Sequence, residues 1–311
     1  MKAVFPMPLA QLYIAIIFCQ LIFSATPLFT KIALNDFDPF TLGFLRFVIA
    51  TMVLNLLMLI QGRYKRLSKK NLLKIIILGF LIAPVNQGFF LIGLEMTTPG
   101  HSALMFSMTP LFVYILAIPM LSEKFYFGKM GGILIALAGV IIILLDRNIT
   151  VEPKFYWGDL LILMAVIAWA LYIVIGKKVV AELGSIAAYS YSITAGMILF
   201  IPMGSYGTIT TDFSQISVIA WIGLLYISLL TTGTAFPLWY WALKYMEASR
   251  LSIYMYIQTI LAALWSYVFL SEQLTTNFIV GGITILAGVF ITERYYPLKS
   301  TTSQSSSSST G

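Results

Sequence analysis

The side chains of this chain that could bind a solute lie mostly beside prolines inside apolar stretches. Hydrogen-bonding side chains stand within three residues of three such prolines: Asn86 and Gln87 after Pro84, Ser107 before Pro110, and Thr234 before Pro237. A proline inside a helix removes one backbone donor and frees a carbonyl about one turn earlier, so polar backbone becomes available there. The pattern predicts a polar pocket within the apolar part of the molecule; the alternative is that the prolines only bend helices for packing.

Large aromatic side chains and one amide extend the predicted pocket. They are Trp169, Tyr172, Trp239, Tyr256 and Gln258. Tryptophan and tyrosine often form belts at the membrane interface, which explains Trp157 but not Trp169, a residue in the middle of its apolar stretch. A pocket of aromatic, hydroxyl and amide groups with little fixed charge suits a small amphipathic or zwitterionic solute better than a polyanion.

Three ionisable groups are candidates for anion binding or proton linkage. Arg46 lies roughly two turns into the second apolar stretch. It either extends to the surface or pairs with Asp36 or Asp38, or it binds a carboxylate or phosphate through its planar guanidinium. His101 and Glu95 lie near the outer mouth of the predicted bundle, where they could bind protons; the alternative for His101 is an interfacial hydrogen-bonding residue.

Ten stretches, each of about 20 mostly apolar residues, position these groups. The chain of 311 residues is 59% apolar and only 10% charged, whereas an ordinary soluble domain carries about 25% charged residues. A helix of roughly 20 residues crosses about 30 Å of hydrocarbon, and the stretches lack the alternation of barrel strands. The sequence therefore predicts an all-α polytopic membrane protein with ten transmembrane helices.

The second half of the chain repeats the first. Leu121-Ser122-Glu123 recurs 149 positions later as Leu270-Ser271-Glu272, and the glycines recur at the same spacing: Gly132 as Gly281 and Gly139 as Gly288. Five crossings per half are an odd number, so the second copy enters the membrane from the opposite face, as in many secondary transporters. We interpret Glu123 and Glu272 as structural ends of the fourth and ninth helices, and the runs Gly131-Gly132 and Gly281-Gly282 as sites of close helix contact.

The repeat divides the chain into three parts. We expect a first five-helix repeat over residues 1–148, an inverted second repeat over 149–299, and a disordered Ser/Thr-rich tail over 300–311.

Positive charge predicts the orientation. The formal net charge is +7, and with the amino terminus inside, fifteen of the nineteen Lys and Arg residues fall on the cytoplasmic side and three on the far side. This distribution favours an integral protein of the bacterial inner (plasma) membrane with both termini cytoplasmic. The expected partners are the lipid bilayer and a small-molecule substrate, with no nucleic acid; a monomer and a homodimer both stay open.

Enzymatic chemistry has little support in the residues. There are one His and one Cys, all twelve carboxylates lie near the ends of the apolar stretches, and no Gly-rich phosphate loop occurs. We expect no enzyme, no cofactor and no metal site. An intramembrane enzyme and a non-transporting scaffold are the weaker alternatives.

These residues resemble the EamA type of the drug/metabolite transporter superfamily, over Leu9 to Arg294. The resemblance lies in Lys31, Arg46, Pro110, Glu123, Gly132 and Gly139 of the first half, and in Gly158-Asp159-Leu160, Trp169, Lys177, Glu272, Gly281 and Gly288 of the second. It implies a bundle in which spans three, four, eight and nine surround a central cavity. The Lys-Arg pair that sugar-phosphate relatives carry in the ninth span does not occur here.

We therefore expect a secondary transporter that moves small amphipathic metabolites, most directly amino acids or related compounds, outward by alternating access. The alternative within the same fold is import or exchange of a nucleoside-like metabolite such as S-adenosylmethionine. Because His101 and Glu95 lie near the outer mouth, we expect the transport rate to be modulated, but not driven, by a proton gradient.

Overall fold

Helices make up nearly all of the described chain. The computed structural model describes residues 9–64, 66–97, 99–145, 156–270 and 276–295, and no β-strand occurs in these ranges. The helices are α1 (Leu9–Ala33), α2 (Pro39–Ile60), α3 (Lys69–Phe80), α4 (Gly88–Met96), α5 (Pro99–Ser107), α6 (Thr109–Leu121), α7 (Phe127–Leu145), α8 (Tyr156–Leu183), α9 (Ser185–Thr210), α10 (Val218–Leu225), α11 (Phe236–Tyr245), α12 (Ala248–Ile253), α13 (Met255–Leu270) and α14 (Thr276–Arg294). Two π-helical segments, π1 (Leu81–Gln87) and π2 (Tyr226–Ala235), join α3 to α4 and α10 to α11.

In the described ranges these elements form ten segments in the order of the predicted spans. Helix α3 continues through π1 into α4, α10 continues through π2 into α11, and single residues separate α5 from α6 and α12 from α13. Eight segments are long and apolar enough to cross a membrane, and Phe127–Ile143 is a shorter apolar helix. The predicted all-α polytopic membrane fold is confirmed.

Local sequence sets where several helices begin and end. The Asp38 side chain caps α2 by accepting a hydrogen bond from the Thr41 N–H at 3.0 Å, and Pro39 follows at a position where no donor is needed. Ser217 caps α10 in the same way. Gly184, with φ +86°, permits the sharp turn between α8 and α9 because it carries no Cβ.

The fifth helices of the two repeats, α7 and α14, pack through reciprocal glycine contacts. A Cβ built on Gly139 would lie 2.6 Å from the Gly281 carbonyl oxygen, and one built on Gly281 would lie 2.6 Å from the Gly139 oxygen. Gly132 and Gly288 form the second pair, with corresponding distances of 2.8 and 2.6 Å. Residue numbers rise along α7 as they fall along α14, so the helices run antiparallel.

This pairing is what an inverted repeat requires. Gly132 contacts the copy of Gly139, and Gly139 contacts the copy of Gly132, which is the pattern that a two-fold axis between two helices produces. The second helices, α2 and α9, also run antiparallel: Phe47 meets Phe200 with ring centroids 5.7 Å apart, and Asn55 donates to Thr194 at 3.0 Å. Equivalent helices thus point in opposite directions.

The π-segments occupy equivalent places in the two repeats. Moving π1 by 149 positions gives residues 230–236, which overlap π2. Pro84 lies inside π1 and Pro237 lies in the first turn of α11, directly after π2. In π2 the hydroxyls of Thr232 and Thr234 donate to carbonyls five residues earlier, at 2.8 and 2.9 Å. Short π-helical turns inside α-helices often mark functional sites.

The α7–α14 contact gives a prediction with an internal control. A methyl group at Gly281 meets rigid backbone, whereas one at the neighbouring Gly282 meets nothing within 4 Å. Overpacking costs roughly 1–3 kcal/mol, so Gly281→Ala lowers the thermal unfolding temperature in detergent. Gly282→Ala leaves it unchanged or raises it slightly, because alanine relieves a glycine penalty of roughly 0.5–1 kcal/mol within a helix. Equal unfolding temperatures for the two variants would contradict this packing.

Candidate functional site

A cavity of about 170 Å³ lies between elements of both repeats. Its lining comes from α2, π1, α4 and α5 in the first half and from α8, α9, π2 and α11 in the second: Arg46, Phe47, Ile82, Asn86, Gln87, Phe90, Phe106, Trp169, Tyr172, Tyr189, Ile193, Thr232 and Phe236. An apolar cavity of about 150 Å³ can hold benzene, so the space fits a small organic solute.

Five of the residues proposed from the sequence line this cavity: Arg46, Asn86, Gln87, Trp169 and Tyr172. The Asn86 amide donates to the Ala165 carbonyl of α8 at 2.8 Å, which fixes the orientation of its side chain. The rings of Trp169 and Tyr172 stack with their centroids 5.4 Å apart, one turn of α8 from each other. The cavity therefore has an amide edge on π1 and an aromatic wall on α8.

Arg46 is the single charged group of the lining. Its Nε donates to the Thr232 hydroxyl at 2.6 Å, and no other group in the described part of the chain accepts a hydrogen bond from the guanidinium. The two carboxylates proposed as partners are engaged elsewhere. Asp38 caps α2, and Asp36 accepts from the Ser217 N–H at 2.9 Å; hydrogen bonds from Ser217 hold the pKa of Asp36 below its ordinary value. Arg46 thus faces the cavity without a described counter-charge.

Thr232 connects α2, α9 and π2 beside the cavity. In a π-helix the N–H of residue 237 would donate to the carbonyl of residue 232, but Pro237 has no N–H. The Tyr189 hydroxyl donates to the Thr232 carbonyl instead, at 3.0 Å. The Thr232 hydroxyl donates to Ile227 and accepts from Arg46. Three helices are therefore tied together at one residue beside the cavity.

Several lining residues were not proposed from the sequence: Phe47, Ile82, Phe90, Phe106, Tyr189, Ile193, Thr232 and Phe236. Phenylalanine and isoleucine carry no signal that separates a cavity wall from ordinary packing. Tyr189 lies four residues into α9, where interfacial tyrosines are common. Thr232 had a usable signal, since it belongs to the threonine cluster that precedes Pro237.

Five proposed residues lie outside the lining of this cavity: Ser107, Thr234, Trp239, Tyr256 and Gln258. The hydroxyls of Ser107 and Thr234 donate to carbonyls of their own segments, at 2.6 and 2.9 Å. The donor capacity of both hydroxyls is therefore used within their own segments.

The other three of these residues pack between helices. Trp239 is 2% exposed and meets Phe23 of α1, with ring centroids 6.0 Å apart. Tyr256 is buried against α7, and the Gln258 amide donates to the Phe23 carbonyl at 3.3 Å. Trp239 and Gln258 therefore contact α1, whose Phe23 in turn packs on Phe236 of the lining with ring centroids 4.7 Å apart.

The proposed proton-linked residues do not line the cavity either. Glu95 is exposed near the end of α4. His101 lies in the first turns of α5, and its side chain is outside the described part of the structure. Glu272 falls in residues 271–275, which also lie outside the described ranges.

Glu123 belongs to a charged cluster around the turn between α11 and α12. It accepts hydrogen bonds from the Ala248 N–H at 2.8 Å and from the Ser249 hydroxyl. Burial raises the pKa of the Glu123 carboxyl, and the hydrogen bond from Ser249 opposes this shift. Lys177 donates to the Leu243 carbonyl at 2.7 Å.

An ion pair also belongs to this cluster. Lys129 lies 2.9 Å from Glu247, and Lys177 also donates to the Met246 carbonyl at 2.5 Å. Side chains from three different parts of the chain therefore hold one short turn.

Comparisons with known proteins agree with this architecture. The model of the EamA-like transporter family matches the chain twice, over residues 11–145 and 156–294. The uncharacterized transporter YoaV of Bacillus subtilis is 24% identical over 91% of this chain and 97% of its own length. The uncharacterized inner membrane transporter YedA of Escherichia coli K12 is 24% identical, covering 91% of each. A solved crystal structure aligns with a TM-score of 0.77 at 18% identity, over 91% of this chain and 96% of that one, a likeness of fold.

Two matches to one family model, end to end, account for the repeat, and together they cover most of the sequence. The relatives that match over nearly their whole length are named as transporters. The chain belongs to the EamA-like transporter family and is a membrane transporter.

Proposed function

We propose that this transporter moves small amphipathic metabolites, with amino acids and related compounds the first class to test, outward across the bacterial inner membrane. The observation that carries the proposal is the cavity with one guanidinium and many aromatic rings, built from both repeats. Because each repeat supplies part of the wall, rocking one repeat against the other changes the side from which a solute can enter. That arrangement supports the proposal of alternating access.

The volume of the cavity bears on the choice between amino-acid-sized solutes and nucleoside-like metabolites. Pockets for drug-sized ligands measure roughly 300–1,000 Å³, whereas this cavity measures about 170 Å³. That volume favours a small solute over a nucleoside-like metabolite such as S-adenosylmethionine. Uptake of radiolabelled amino acids, nucleosides and sugar phosphates into proteoliposomes, measured side by side, tests the proposed substrate class. Uptake of nucleosides alone would refute transport of small amphipathic metabolites such as amino acids.

The proposed energy source is a solute gradient. No acidic residue belongs to the described lining, so a carboxylate that binds and releases a proton in each cycle is missing from these walls. A lining without acidic residues agrees with exchange or facilitated transport whose rate is modulated by pH. Counterflow with and without an imposed pH difference measures the dependence.

Trp169 provides a test of the cavity as the transport site. Replacing it with alanine removes the wall that stacks on Tyr172, and we expect the transport rate in proteoliposomes to fall at least about tenfold, as for loss of a large apolar contact worth roughly 1.5–3 kcal/mol. The matched control is Trp157→Ala on the same helix, since Trp157 is 68% exposed. Unchanged flux in Trp169→Ala, at equal expression, would remove this wall from the pathway.

The proposed orientation can be measured by cysteine labelling. Cys19 is buried, so a Cys19→Ser background carrying Arg63→Cys or Gln215→Cys presents one exposed thiol between α2 and α3 or between α9 and α10. With cytoplasmic termini, an impermeant maleimide labels Gln215→Cys in intact cells and labels Arg63→Cys only after permeabilisation. The reverse pattern would place both termini outside.

A further inference from the structure

Arg46 lines the cavity, and only one side of its guanidinium is hydrogen-bonded within the described structure. Its Nε is engaged by Thr232, and in the described structure nothing accepts a hydrogen bond from its two NH₂ groups. With Nε held, the end of the guanidinium keeps two parallel N–H donors, which is the geometry that a carboxylate accepts bidentately.

The remaining described walls contain no second charged side chain. The described lining includes no Asp or Glu, and nine of its thirteen residues are aromatic or aliphatic. A substrate ammonium therefore finds no carboxylate there, and a second negative charge finds no second cation. Burying an unpaired charge in such surroundings is strongly unfavourable.

Resting on the proposed transport of small amphipathic metabolites, and ranking monocarboxylates above amino acids within that class, we propose that the cavity selects small organic monocarboxylates with an aromatic or branched apolar body, which bind to Arg46 as its counter-charge. Each carboxylate oxygen accepts one N–H from Arg46, and the apolar body contacts rings such as Trp169 and Phe236. Zwitterions bind more weakly because their ammonium finds no carboxylate in these walls and has only neutral acceptors such as the amide oxygens of Asn86 and Gln87. Dianions such as phosphate monoesters bind more weakly because one guanidinium balances one charge.

Thr232 acts as a positioning residue in this site. Its hydroxyl donates to the Ile227 carbonyl at 2.8 Å, so its lone pairs are directed at Arg46. The Tyr189 hydroxyl holds the Thr232 carbonyl at 3.0 Å. Thr232 is thus fixed from both sides, and it fixes the guanidinium in turn.

The first test uses the wild-type protein and four ligands that share one ring and differ in charge. They are phenylacetate, phenylglycine, benzylamine and phenyl phosphate, and binding is measured in detergent by thermal shift and by tryptophan fluorescence at pH 8. We expect phenylacetate to bind at least about tenfold more tightly than the other three, the effect of one unsatisfied charged group. Phenylglycine, benzylamine or phenyl phosphate binding as tightly as phenylacetate would overturn the proposal.

The second test uses variants with matched controls. Arg46→Gln weakens phenylacetate binding by at least about 30-fold, the effect of removing one partner of a buried charged pair, whereas Arg63→Gln, an exposed arginine between α2 and α3, leaves it unchanged. Thr232→Val weakens phenylacetate binding and narrows its margin over phenylglycine, and Thr232→Ser restores both. Full affinity in a folded Arg46→Gln protein would overturn the role of the guanidinium.

Flux measurements distinguish this proposal from the broader one. Transport of phenylglycine or phenylalanine without transport of phenylacetate would refute selection for monocarboxylates and leave a transporter of amphipathic solutes in place. Failure of all of these solutes, both to bind and to move in proteoliposomes, would refute both proposals.

Discussion

Inside a bilayer, a backbone carbonyl without a hydrogen-bond partner is costly because no water replaces the lost bond. Pro237 creates such a carbonyl at Thr232, and the Tyr189 hydroxyl satisfies it at 3.0 Å. The side chain of Thr232 then holds Arg46. One missing N–H therefore organises the contact between α2, α9 and π2, and the cavity has its charged group where these three elements meet.

The two repeats contribute unequally to this site even though their backbones are related by inversion. Both third spans contain a π-helical segment with a nearby proline. The polar cavity-lining side chains of π1 are the amides Asn86 and Gln87, whereas π2 supplies the hydroxyl of Thr232. The π-helical segment is common to both repeats, whereas the polar side chains that it brings to the cavity differ between them.

Apolar length and repeated residues could be read directly from the sequence, which is why the all-α membrane fold was predictable. Asn86 and Gln87 could be proposed because polar side chains beside Pro84 are unusual in an apolar stretch. The sequence did not show whether Thr234 and Trp239 lie on the side of their helix that faces the cavity. A π-helical turn adds a residue, so the positions after it rotate by about 100° relative to a regular helix. Phe90 and Phe236 were missed because a cavity wall and a packed core use the same residue type.

The turn between α11 and α12 couples its three anchoring side chains energetically. Lys177 holds the end of α11, Glu123 holds the start of α12, and Lys129 pairs with Glu247 between them. Residues that share one short turn are energetically coupled, so their contributions do not add independently. A change at one anchor therefore alters the stabilisation that the other two provide, so the three contacts act as one energetic unit at this end of the bundle.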